Sequence, residues 1–106
     1  MADAESLMAG MRARAGALRT LGYRVRFDLT DTEESILLDA AGGGAPSVEA
    51  ASAEDEADTV LRLSAADAEK LMAGKLSPML AFSTGRLRVE GSKGVAMKLA
   101  SLLDED

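Results

Sequence analysis

The sequence predicts one α+β domain, on three observations. Between about residues 23 and 64 the chain reads as strands joined by short turns, with the period-two alternation of a half-buried strand clearest from Tyr23 to Thr30. From Ser64 onward the signals are mostly helix caps and helix-ending glycines. No repeat or linker interrupts the 106 residues, a length that supports a single modest core and predicts one domain over 1–106.

Taken in order, a helix is predicted over about residues 5–20. Leu7, Met8, Met11, Ala15 and Leu18 share a face at the 3.6 period. Gly10 and Gly16 weaken it by up to about 1 kcal/mol each, so it needs tertiary packing. Gly22 is placed to end it in a left-handed conformation. A half-buried strand follows, with Tyr23, Val25, Phe27 and Leu29 alternating with Arg24, Arg26, Asp28 and Thr30. Ser35 to Ala40 is a second strand, Gly42-Gly43-Gly44 a turn, and Ser47 to Ala51 a weak third strand. Turns this short suggest an antiparallel meander. After the loop Ala53-Glu54-Asp55-Glu56, a fourth strand runs from Ala57 to Ser64, with Thr59, Leu61 and Leu63 on one face.

Ser64 with Asp67 three residues on resembles a capping box and starts a helix at Ala65 that Gly74 ends. Its buried side is Ala68, Leu71 and Met72. Ser77-Pro78 starts a short helix through Phe82, because Ser caps and Pro at the first position loses no internal hydrogen bond. Arg86 to Glu90 is a fifth strand, and Gly91-Ser92 caps a last helix from about Lys93 to Leu103.

Composition removes most chemistry. The chain has no His, Cys or Trp, so Ser-His-Asp and Cys-His nucleophile systems cannot be built within it. Zinc, haem and iron–sulfur sites lose their usual ligands, and no metal or cofactor is expected. The aromatics, Tyr23, Phe27 and Phe82, are 3% of the chain, too few to stack nucleic-acid bases, so no nucleic acid is expected as a partner. No apolar run approaches the roughly 20 residues that span a bilayer, and stable membrane insertion is not expected. The acidic start, Met1 to Glu5, does not resemble a secretory signal, and a cytoplasmic location is expected. The formal net charge is −6, yet residues 70–103 hold six basic residues against one acidic, Glu90. An anionic ligand is therefore compatible with that third of the chain.

The last helix carries the most informative pattern. Val95, Ala96, Leu99, Ala100, Leu102 and Leu103 cover an arc of roughly 160°, and Met97 widens it, where a helix on one sheet needs about 100°. The excess implies an apolar contact on a second side. Met72, Leu76, Met79, Leu80 and Phe82 lie just before it on short elements. Two readings fit: these residues complete the core, or they wall a ligand cavity, for which flexible Met side chains are suited. The other motifs are weaker. Glu54-Asp55-Glu56 with Asp58 lacks the spacing and glycine of a calcium loop. Gly42-Gly43-Gly44 lacks the residues of a phosphate loop. Gly91 to Gly94 offers free N–H groups and Lys93 to an anion, although capping explains it as well.

The run Leu71-Met72-Ala73-Gly74-Lys75-Leu76-Ser77-Pro78-Met79-Leu80-Ala81-Phe82-Ser83-Thr84-Gly85-Arg86-Leu87-Arg88-Val89-Glu90-Gly91, followed by Ala96-Met97-Lys98-Leu99, resembles the sterol carrier protein type 2 family. That resemblance implies a five-stranded mixed sheet with helices packed on one face, enclosing an apolar tunnel. It implies non-catalytic binding and transfer of a fatty acid, fatty acyl-CoA, phospholipid or sterol, with Met72, Leu76, Met79, Leu80, Phe82 and Met97 on the tunnel wall. Ser92 stands where the family often has Asp, and Ser caps equally well. Lys75, Arg86, Arg88, Lys93 and Lys98 are candidates to meet a carboxylate or phosphate at the mouth. The alternative is an interaction module that docks a lipid-metabolising partner enzyme with little or no cavity. A carboxylate-based enzyme is the third reading.

Overall fold

A computed structural model of the protein describes residues 4–42, 46–52 and 54–103. Gly43 and Gly44 of the expected turn, Ala53 of the expected acidic loop and the terminal Asp104 to Asp106 lie outside them. The elements run α1 (Ala4–Ala13), α2 (Ala15–Leu18), β1 (Arg24–Leu29), β2 (Ser35–Asp39), β3 (Ser47–Ala51), β4 (Thr59–Leu63), α3 (Ala65–Met72), α4 (Pro78–Ser83), β5 (Arg88–Gly91) and α5 (Lys93–Leu103). The predicted first helix is interrupted at Arg14, between Gly10 and Gly16, the residue type with the lowest helix propensity after proline.

The five strands form one mixed sheet in the order β3-β2-β1-β4-β5. β1, β2 and β3 make the expected antiparallel meander. The fourth strand departs from it: β4 lies beside β1 and parallel to it, with Phe27 opposite Leu61. The chain therefore crosses from the β3 edge to the far side of β1. It is tied down on the way, since the Arg26 guanidinium donates to the Asp55 carbonyl at 2.7 Å and the Arg24 N–H donates to the Asp58 carboxylate at 2.8 Å. Among the described residues no three acidic side chains converge as a metal site would need.

One face of the sheet is the core. Val25, Phe27, Leu29, Ile36, Leu38, Val48, Leu61 and Leu63 point into it. Against them pack Leu7, Met11, Leu18 and Leu21 from the N-terminal helices, Ala68, Leu71 and Met72 from α3, and Val95 and Leu99 from α5. The other face carries ion pairs, Arg26 with Asp28 along β1 at 2.9 Å and Arg62 with Glu90 across β4 and β5 at 2.7 Å. This separation of greasy and charged faces follows from the period-two pattern and places every long helix on one side.

The helix starts follow the sequence signals. Ser64 Oγ accepts from Asp67 N–H at 3.1 Å, Ser77 Oγ from Leu80 N–H at 3.5 Å and Ser92 Oγ from Val95 N–H at 3.3 Å. At Gly91 the backbone takes φ +86, and an added Cβ would come within 2.9 Å of the Asp58 carbonyl oxygen. Only glycine fits the point where β5 leaves β4 and turns into α5.

Candidate functional site: an apolar cleft beside the last helix

Ser77 and Pro78 start α4 immediately after a tight turn, and Gly85, at φ +78, ends it. Arg86 and Leu87 N–H groups both donate to the Ala81 carbonyl, at 2.9 and 3.0 Å, folding the chain back toward β5. Two turns of helix are too short to bury a wide face. Of the six residues in α4 only Ala81 is buried. Met79, Leu80 and Phe82 are left 57%, 58% and 47% exposed, and Met97 on the adjoining α5 is 59% exposed.

Between these elements lies a cleft of about 120 Å³. Its walls are Pro78, Met79 and Phe82 of α4, Leu87 and Val89 of the β5 strand and its approach, and Lys93, Ala96, Met97 and Ala100 of α5. Every lining residue is apolar except Lys93. A second hollow of about 20 Å³ lies deeper, against Phe27 and Leu61 of the sheet and Leu71 of α3. Pro78, Leu87, Ala96 and Ala100 wall both, so the cleft leads from the surface toward the centre of the sheet. The small side chains Ala96 and Ala100, one helical turn apart, leave the room. Such a space is apolar throughout, with one cation at its edge.

The structure brings together three of the six residues expected on the wall, Met79, Phe82 and Met97. Leu80 stands beside them on α4 and points to solvent. Leu76 is buried in the core, and Met72 packs between α3 and α1, beside the hydrogen bond from Ser6 Oγ to the Glu69 carboxylate. Pro78, Leu87, Val89, Ala96 and Ala100 are wall residues that sequence reasoning did not name. The signal for the alanines was present, because the excess width of the α5 arc is the side that faces the cleft.

The five basic candidates separate. Lys93 is on the wall. Arg86 pairs with Asp67, Nη2 to Oδ1 at 2.5 Å, and Lys98 sits 5.4 Å from the centre of the Tyr23 ring. Arg88 opposes Arg62 across β4 and β5, on the charged face, and Lys75 is exposed in the turn before α4. The Arg86 hydrogen bond, with its charge, holds the Asp67 carboxyl below its ordinary value against an opposing desolvation.

The architecture is a small α+β domain, a mixed sheet with its helices on one side and an apolar cleft among them. The chain belongs to the SCP-2 sterol transfer family, whose family model matches residues 4–104. It is similar to hydroxysteroid dehydrogenase-like protein 2 of Bos taurus, 39% identical over 51 residues, which are 48% of this chain and 12% of that protein. The fold is that of sterol carrier protein 2 from Yarrowia lipolytica in its apo form, with TM-score 0.67 and 23% identity over 94% of this chain and 85% of that one. It is likewise that of sterol carrier protein 2 like 2 from Aedes aegypti, with TM-score 0.74 and 17% identity over 92% of this chain and 93% of that one. Among the described residues no helix is long and apolar enough to cross a membrane.

Proposed function

We propose that this protein binds the hydrocarbon part of a lipid in the α4–β5–α5 cleft and carries it without altering it. The carrying observation is the cleft itself: eight apolar residues and Lys93 enclose a space open to solvent and continued inward by a second hollow. Membership of a sterol transfer family supports the same reading. Fatty acids, fatty acyl-CoA, phospholipids and sterols all present the required surface.

The energetics suit a carrier. Each methylene moved out of water contributes roughly 0.8 kcal/mol, on the order of 10 kcal/mol gross for a long acyl chain. Ordering and association costs offset much of it, leaving an affinity that permits release. The cleft as it stands, about 120 Å³, is smaller than the roughly 300–1,000 Å³ of common ligand pockets. A long tail enters by moving α4, which buries only Ala81 and is the element least held by the core. Met79 and Met97 then re-form around the tail, as unbranched thioethers do. The likeness to a segment of a dehydrogenase-like protein supports an enzyme as one recipient of the cargo.

Displacement of a fluorescent fatty acid, paired with native mass spectrometry of the purified protein, tests this. Saturable displacement at micromolar concentration and a bound lipid mass are expected. Neither displacement nor a bound lipid would overturn the reading.

A further inference from the structure

We propose that Lys93 selects the cargo: the cleft prefers single-chain lipids with an anionic head, a carboxylate or a phosphate, over uncharged lipids and sterols. The head sits at Lys93 and the tail runs inward past Ala96 and Ala100. The inference rests on the lipid-binding reading and adds which lipids it applies to.

The charge on the wall carries the selection. Lys93 is the one lining residue that is not apolar, and no acidic residue lines the cleft. Among the described residues no carboxylate pairs with the Lys93 ammonium. The neighbouring cations are engaged elsewhere, Arg86 by Asp67 and Lys98 over the Tyr23 ring. Glu90, three residues before Lys93, is on the opposite side of the sheet and held by Arg62 at 2.7 Å. A free ammonium at the rim of an apolar space suits an amphiphile: the tail leaves water while the ionised head stays solvated beside its counter-charge. The first turn of α5 is also open there, since a Cβ added at Gly94 would meet only Ser92 Oγ, at 3.8 Å. A head at Lys93 therefore also approaches the positive end of α5.

The shape favours a chain over a ring system. The route narrows from about 120 Å³ at the surface to about 20 Å³ against Phe27 and Leu61. A flexible chain follows such a route by rotating its own bonds, whereas the fused rings of a sterol are wide and rigid. The sterol hydroxyl also brings no charge to Lys93.

Isothermal titration calorimetry of the whole chain tests this with dodecanoate, dodecyl phosphate and dodecanol, which share one tail, and with cholesterol delivered from cyclodextrin. At least one of the two anions is expected to bind about fivefold tighter than dodecanol, the scale of one ion pair at a rim open to water. Which of them does so assigns the head to carboxylate, phosphate or both. The difference shrinks at high salt, and cholesterol binds weakest. Lys93→Gln brings the preferred anion down to the level of dodecanol, while Lys93→Arg keeps the preference, a split that a merely structural lysine would not give. Lys93 is exposed, and a thermal unfolding curve matching the parent shows that each variant is folded. Dodecanol or cholesterol binding as tightly as both anions, or a Lys93→Gln variant with the parent's preference, would overturn the selection and leave the lipid-binding reading standing. No binding of any of the four would overturn that reading, and this inference with it.

Discussion

Filling the cleft from its own wall separates a binding space from an imperfection in packing. Ala100 is partly buried and borders both hollows. Ala100→Leu adds three methylene-sized groups, each contributing about 0.8 kcal/mol if fully removed from water, at most about 2.4 kcal/mol. The cleft is open on one side, so about half of that, roughly 1 kcal/mol, is the expected gain in stability. For a domain of this size that is about 4–8 °C in Tm. The same groups occupy the space a tail would use, so fatty-acid affinity falls by about tenfold, the equivalent of about 1.4 kcal/mol. Urea unfolding followed by circular dichroism measures the first effect, and displacement of a fluorescent fatty acid the second. A more stable protein that binds less is the signature of a space kept open for a ligand at the expense of stability. Destabilisation by about 1–3 kcal/mol would mean that the space is already filled. That result together with unchanged binding would refute the assignment of the cleft.

Three further outcomes follow from named contacts. Met79→Glu or Met97→Glu changes stability by no more than about 0.5 kcal/mol, because each side chain is more than half exposed, yet reduces lipid uptake severely. Parallel unfolding and displacement curves check this. Gly91→Ala lowers stability by more than about 1–2 kcal/mol, the strain of a left-handed residue, since the new Cβ also meets the Asp58 carbonyl oxygen at 2.9 Å. Its unfolding midpoint in urea measures that loss. Asp67→Asn costs less than about 1 kcal/mol at neutral pH because its partner Arg86 is half exposed. The folded-state value of Asp67 is depressed, so its contribution is present above the unfolded value of about 4 and is lost as pH falls through the folded one. The stability gap between parent and variant therefore closes below about pH 4, as acid titration of the unfolding midpoint will show.

Much of the fold was legible because local chemistry and tertiary need agree. The alternation through Val25, Phe27 and Leu29 put the charged and apolar faces of β1 on the correct sides, and the three serine caps and the terminating Gly74 sit where the signals placed them. The mixed sheet was legible through the family resemblance, but local pattern did not give the parallel pairing of β4 with β1, which depends on Arg26 and Arg24 holding the crossover through Asp55 and Asp58, contacts 29 and 34 residues apart in sequence. At the cleft, periodicity gave the surplus width of α5 but not which residues use it. Met72 and Leu76 match the family motif as well as Met79 does, yet α1 covers the first and the core absorbs the second. Whether an apolar side chain lines a space or fills one depends on what packs over its helix: α1 lies against α3 and covers Met72, while Met79 and Phe82 on α4 stay exposed.

The most direct test labels the methionine methyl groups and follows their NMR signals while a fatty acid carrying a spin label near its methyl end is added. Met79 and Met97 flank the cleft, whereas Met11 and Met72 are buried under α1 and α3 on the other side of the core. Strong broadening of the Met79 and Met97 signals, with Met11 and Met72 left sharp, is the expected result. Uniform broadening, or broadening centred on Met11 and Met72, would contradict the assignment of the α4–β5–α5 cleft as the place where lipid is held.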